Sequence, residues 1–233
     1  MRGEILTRLQ ALRQQMQSVA LVTRLDDGVQ AFVTEDLVEG ELSMMDDTIS
    51  TVRQRISEDW SGVIFENGIK IFVRVYSTPL RLILIGAVHV SQALIPMATL
   101  LGFDVTVVDP RTSFASDERF PDVTMLTDWP DQAMRTLKPD AHTAVVTLTH
   151  DPKLDDPALR EVLATNAFYI GSLGSKRTHA SRLERLRAEG IDDETLSRIH
   201  APVGLHLGGR QPAEIALSII AEIVQTLRLP KQS

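Results

Sequence analysis

The sequence contains no cysteine. That excludes disulfides, thiolate metal sites and a cysteine nucleophile, and it fits a reducing compartment. No apolar run reaches the roughly eighteen residues of a membrane-spanning helix. The opening, Met1-Arg2-Gly3-Glu4 and then a polar amphipathic stretch, lacks the apolar core of a signal peptide. The expectation is a cytoplasmic protein with no membrane partner. Positive charge is scarce as well: 24 Lys and Arg against 31 Asp and Glu leave a net charge of −7. Nucleic acid is therefore not an expected partner, because phosphate-backbone binding needs an excess of cations on one face, and any anion site must be local. What is present is ample apolar material: 43% hydrophobic residues in 233 can fill one large domain, or a small and a medium one. No internal repeat or low-complexity segment interrupts it.

Ile5, Leu9, Leu12 and Met16 fall close to helical spacing and predict an amphipathic opening helix from Ile5 to about Gln17. Ser18–Arg24 and Val29–Thr34 are short β-prone runs flanking the turn signal Asp26-Asp27-Gly28, which reads as a hairpin. A helix is expected over Met44–Ile56, and Gly62–Phe65, Asn67-Gly68 and Ile69–Tyr76 give a second hairpin. Ser77-Thr78-Pro79 marks a boundary, since the residue before proline is pushed away from helix and the pattern changes there. The reading is a small α+β domain over residues 1–78 and a second domain over 79–233.

The second domain alternates. Strands are expected at Arg81–Ile85, Asp104–Val108, Val123–Leu126, Thr143–Leu148 and Ala167–Ile170. Helices are expected at Val88–Leu101, near Trp129–Leu137, and at Pro157–Ala164, Lys176–Glu189 and Pro212–Leu227. Such alternation specifies an α/β, Rossmann-like, mostly parallel sheet covered by helices on both faces.

Four segments carry candidate chemistry. Ile85–Ser91, with Gly86 and His89, stands where a dinucleotide fold has Gly-x-Gly-x-x-Gly/Ala, but Val88 replaces the second glycine and crowds a pyrophosphate. Asp109 ends the next strand, where such folds place a ribose-binding carboxylate, with Arg111 nearby; the alternative is a tight turn at Gly86 and a loop cap at Asp109. Tyr169–Arg177 runs from a strand through Gly171, Ser172, Gly174 and Ser175 into a helix that starts with Lys176 and Arg177. Cations at that end oppose the helix dipole and are explained by a bound anion, or else Ser172 or Ser175 is a plain cap with solvated cations beyond it. The Walker pattern Gly-x-x-x-x-Gly-Lys-Ser/Thr is not matched.

Thr147–Asp156 places His150 and Asp151 at the carboxyl end of a strand, as polar contacts or a proton-transfer pair; it also reads as a turn at His150-Asp151-Pro152, with Asp155-Asp156-Pro157 starting a helix. Finally, Ala201–Glu214 carries Gly208 and Arg210 just before a proline-started helix, again suited to an oxyanion. His200 and His206 lack a third ligand, so no metal site is expected.

From about Leu82 to Val224 the chain resembles the XdhC/CoxI family, accessory proteins that mature molybdenum hydroxylases such as xanthine dehydrogenase and aerobic carbon monoxide dehydrogenase. Ile85–Ala93, Val107–Arg111, Arg119-Phe120-Pro121, Thr149–Leu159, Tyr169–Arg177 and Pro202–Glu222 carry the resemblance. Val88 departs from the family's middle glycine, and Ser18–Tyr76 lacks its glycine-rich, cysteine-containing segments. The resemblance implies a Rossmann-type domain that binds the molybdenum cofactor, a phosphorylated pyranopterin. It also implies protection of the cofactor during sulfuration and delivery to an apo-hydroxylase subunit, by a chaperone rather than a catalyst. A homodimer and contact with a cysteine desulfurase belong to that picture. Two other readings of the residues stay open: an NAD(P)-dependent oxidoreductase using the same first turn, and a docking protein whose pocket binds no ligand.

Overall fold

The structure, a computed structural model, describes residues 3–14, 17–112, 119–121 and 123–229. The chain divides into two compact units, Met1–Thr78 and Pro79–Ser233. In the first, α1 (Gly3–Gln14) precedes β1 (Val19–Arg24), β2 (Gln30–Val33) and β3 (Val38–Gly40); α2 (Asp46–Ser57), β4 (Gly62–Glu66) and β5 (Ile69–Tyr76) follow. The sheet is antiparallel, in the order β3-β2-β1-β5-β4. Because side chains alternate across a strand, Ala20, Val22, Ala31, Val33, Ile71 and Val73 form one core with Val52 of α2. Val19, Leu21 and Phe32 form the other with Leu9 and Leu12 of α1. Met16, expected on that apolar stripe, lies outside the described residues. Asn67 and Gly68 join β4 to β5 with φ of 50° and 83°, the positive values a two-residue hairpin loop demands. β3 has no signature in the sequence, since its three residues are all exposed and show no alternation.

The second unit runs β6 (Leu80–Ile85), α3 (His89–Leu100), β7 (Phe103–Val108), β8 (Thr124–Leu126), α4 (Pro130–Leu137), β9 (Thr143–Thr147) and α5 (Pro152–Leu163). It continues with β10 (Tyr169–Ser172), α6 (Lys176–Ala188), α7 (Asp193–Leu196), β11 (Ile199–His200) and α8 (Pro212–Arg228). Every ladder is parallel and the order is β11-β10-β9-β6-β7-β8. Counted from β6 and read from the β8 edge this is 3-2-1-4-5-6, the doubly wound Rossmann order. Strands buried on both faces need apolar residues at successive positions, and Leu82, Ile83, Leu84 and Ile85 are all fully buried. Leu82, Leu84, Val105, Val107 and Val146 pack on Leu94 of α3 and Ile219 and Ile223 of α8. Ile83, Ile85, Val108, Val145 and Ile170 pack on Met134 of α4, Leu159 and Val162 of α5 and Leu186 of α6.

Two elements differ from the sequence reading in ways that matter for the site. α5 starts at Pro152 rather than Pro157, capped by Asp151, whose Oδ1 accepts the Lys153 N–H at 2.9 Å. Pro157 sits inside the helix, where it forgoes one backbone bond. The segment stays helical because Leu154, Asp155, Asp156 and Ala158 around it are all buried. β10 ends at Ser172 rather than Ile170, so Gly171 and Ser172 belong to the strand and not to the turn after it. α7 and the two-residue β11 are too short to leave a periodic pattern.

Candidate functional site

In a sheet of this order the ligand crevice lies at the carboxyl ends of the strands, where the chain reverses direction between β6 and β9. Gly86 follows β6 and Thr149 follows β9. A Cβ placed on Gly86, whose φ is +117°, would lie 2.7 Å from Thr149 Cγ2, so only glycine lets these two turns close on each other. Gly86 N–H donates to the Val108 carbonyl at 2.8 Å, and the Ser91 hydroxyl donates to the Gly86 carbonyl at 2.6 Å. Val88 caps α3 in an extended conformation without any side-chain bond, and His89 next to it is exposed.

Asp109 is fully buried beneath that turn. Its Oδ2 accepts the Ala87 N–H at 2.8 Å, and the Arg111 guanidinium and backbone N–H hold the carboxylate at 2.8–2.9 Å. Burial alone would push this carboxyl up, yet the bonds from Arg111 and Ala87 hold it below the usual carboxylate range. A wholly buried carboxylate cannot present an oxygen to a ligand. Where the sequence suggests a ribose contact, Asp109 instead ties the first turn to the end of β7, and the part-exposed group it orients is Arg111.

The turn between β10 and α6 is built differently. Gly171 packs under Tyr169 and Val203, where a Cβ would come within 2.6 Å of Val203 Cγ2, and the buried Ser172 hydroxyl bonds that of Thr147. Neither residue can serve as a backbone donor in the turn. Ser175 caps α6, its Oγ accepting the Thr178 N–H at 3.1 Å. Gly174 has φ +146°, and Lys176 and Arg177 are exposed. Among the described residues, the N–H groups of Gly174, Ser175, Lys176 and Arg177 have no acceptor.

Beneath this turn lies Arg182, 2% exposed and missed by the sequence reading. Its Nη2 donates to the Leu173 carbonyl at 3.1 Å and lies 3.8 Å from Asp155 Oδ2. Asp155 in turn holds Thr149, accepting its hydroxyl at 2.6 Å on Oδ1. Burial pushes the Asp155 carboxyl up against the pull of Thr149 and Arg182. Sequence reasoning missed the pair because Asp-Asp-Pro also reads as a helix start and Arg182 is one of four arginines from Arg177 to Arg187.

The remaining candidates spread out. His150 is exposed with φ +61°, and Asp151, its expected proton-transfer partner, is engaged as the cap of α5. Gly208 and Arg210 lie on an exposed loop. The helix start beyond them is already closed by an anion of the protein, since Glu214 Oε2 accepts the N–H groups of Arg210 and Gln211 at 2.7 and 2.9 Å. At the sheet edge, Glu222 accepts the Tyr169 hydroxyl at 2.5 Å and the Gly204 N–H at 2.7 Å, and lies 3.3 Å from His200 Nδ1. An acid inside the apolar run of α8 was the signal for this brace. Among the described residues no three His, Cys, Asp or Glu side chains group as metal ligands, and no helix is long and apolar enough to cross a membrane.

Residues 82–223 match the family model described as the XdhC Rossmann domain. The chain belongs to the XdhC family. Every crevice turn described above falls inside the XdhC segment. Relatives include an uncharacterized protein YqeB of Escherichia coli, 30% identical over 89% of this chain and 40% of its own length. A probable xanthine dehydrogenase subunit of Bacillus subtilis is 34% identical over 70% of this chain and 47% of its own length. The molybdenum cofactor insertion chaperone PaoD of E. coli is 32% identical over 61% of this chain and 39% of its own length. The chain thus spans less than half the length of these relatives. The crystal structure of a xanthine dehydrogenase from Bacillus halodurans superposes with a TM-score of 0.74 at 28% identity, covering 97% of this chain and 67% of that one.

Proposed function

We propose that this protein is an accessory factor that binds the molybdenum cofactor, shelters it during sulfuration and delivers it to an apo-molybdenum hydroxylase of the xanthine dehydrogenase or carbon monoxide dehydrogenase type. The observation that carries the proposal is the match of residues 82–223 to the XdhC Rossmann domain, together with the 32% identity to a molybdenum cofactor insertion chaperone. The geometry supports it, because α6 starts with no acid in its first turn and carries the exposed cations Lys176 and Arg177 there. In this reading those cations and Arg210 attract the cofactor's phosphate, His89 and His150 offer hydrogen bonds at the mouth, and Gly86 with Asp109 shapes the first turn. The protein acts as a carrier and not a catalyst. It works in the cytoplasm as a homodimer, with the hydroxylase and a cysteine desulfurase as partners.

The strand order also favours NAD(P) binding at the Gly86 turn, but Val88 and the engagement of Ala87 N–H by Asp109 weigh against it. Expression in a bacterium that makes the cofactor, followed by gel filtration and assay of pterin fluorescence and molybdenum, tests the proposal. Near-stoichiometric co-elution of both is the expected result. A peak without either, or low-micromolar NAD(P)H binding with redox activity, would overturn it.

A further inference from the structure

Arg182 is the one buried arginine or lysine among the described residues, and two of its three guanidinium nitrogens, Nε and Nη1, have no hydrogen-bond partner. An arginine stays charged, so burying one with unpaired donors is costly unless an anion answers it. Asp155 answers it only in part: Oδ2 stands 3.8 Å from Nη2, beyond hydrogen-bond range, and is itself unpartnered. The Nδ1 of His179, one turn earlier on α6, is a further orphan. Arg182 Nη2, which donates to the Leu173 carbonyl, is 3.8 Å from where a Gly174 Cβ would stand, so the guanidinium lies against the Leu173–Gly174 turn. On the outer side of the same turn are four backbone N–H groups with no acceptor among the described residues, at the start of a thirteen-residue helix with no acid in its first turn. The other long helices that open on this side of the sheet meet an acid of the protein: Asp109 at α3, Asp151 at α5 and Glu214 at α8.

We infer that the Leu173-Gly174-Ser175 turn and the first turn of α6 form a phosphate subsite, with Arg182 as its buried counter-charge and the Gly86 turn excluded from that role. The inference rests on the ligand-binding reading above and sharpens it, by saying which helix start takes the phosphoryl oxygens of the ligand. The oxygens accept the N–H groups of Gly174 to Arg177. Gly174 holds the turn at φ +146°, a value that side chains rarely adopt, and Arg182 supplies positive potential from behind without being touched. Lys176 and Arg177 screen the same charge from the solvent side. Phosphate esters and phosphoanhydrides share this chemistry, so inorganic pyrophosphate is a fair probe of the subsite alone.

The test is titration of the full isotopically labelled chain with inorganic pyrophosphate, followed by backbone amide NMR. Saturable shifts at Gly174 to Thr178, with Ala87 to Val90 unmoved, are expected. Arg182→Met weakens the affinity about tenfold, the loss of one charge-assisted interaction, and Arg182→Lys restores part of it. If Arg182→Met fails to fold, the surface double variant Lys176→Ala/Arg177→Ala carries the test, with a similar loss and no fall in melting temperature. Shifts centred on Ala87 to Val90, or no saturable response in the wild type, would overturn the inference. Pyrophosphate binding here without pterin carriage would leave the subsite standing and remove the accessory role. Pterin carriage undiminished in the double variant would do the reverse.

Discussion

The turn that opens α3 and the turn that opens α6 follow parallel strands of one sheet, each contains a glycine at positive φ, and each leads into a helix with no acid in its first turn. They differ in the charge set beneath them. Under the α3 turn Asp109 accepts the Ala87 N–H and is paired on both oxygens with the Arg111 guanidinium. Under the α6 turn stands Arg182, half-paired and positive. The difference teaches that two turns at the same edge of a Rossmann sheet can rest on buried groups of opposite charge, one fully paired and one half-paired, and the inferred subsite follows from that contrast.

The comparison can be broken most severely at its glycines. Gly86→Ala meets Thr149 Cγ2 at 2.7 Å in a backbone that disfavours any side chain, and should cost about 2–4 kcal/mol in urea unfolding. Gly174→Ala, whose Cβ would meet Thr178 at a milder 3.2 Å, should cost about 1–2 kcal/mol; equal costs would mean the two turns are packed alike. Next comes the acid. Asp109→Ala strips the Ala87 N–H and Arg111 of their acceptor and should lower stability by about 2–3 kcal/mol at pH 7, Arg111 being about a third exposed and able to rehydrate.

The two carboxyls also respond to pH with opposite sign. Asp109 lies below its unfolded value, so its stabilisation is present above the usual carboxylate range and is lost as pH falls through the folded value. Asp155 lies above its unfolded value, so its ionisation opposes folding, and stability declines as pH rises through the folded value. Urea titrations of Asp109→Asn and Asp155→Asn across the acid range should remove one slope each, and parallel curves would contradict the assignment. The smallest stability effect belongs to Lys176→Ala/Arg177→Ala, a gain of a few tenths of a kcal/mol from relieving the helix dipole. Calorimetry showing a loss above about 1 kcal/mol would mean these side chains are structural.

Much of this architecture was legible in the sequence. The apolar runs at Leu82–Ile85 and Thr143–Thr147 are strands buried on both faces, and such strands leave a continuous hydrophobic signature. The Asn67-Gly68 hairpin carries its mechanism in its two residue types. The site was less legible. Gly171 and Ser172 look like turn residues, yet tight packing against Val203 and Thr147 keeps them in β10. Glu214 gives no hint in isolation that it closes the α8 start against the anion Arg210 was expected to clamp. Arg182 and Asp155 look like a surface cation and a helix cap, because a one-dimensional pattern cannot show that α5 and α6 bring them together under one turn.

The most direct test of the account is hydrogen–deuterium exchange of the cofactor-loaded protein against the same protein stripped of pterin. Protection concentrated at Leu173–Thr178, with Gly86–Val90 unchanged, is the predicted result. Protection at Gly86–Val90 with none at Leu173–Thr178 would contradict it, and would return the anion to the turn that Asp109 faces.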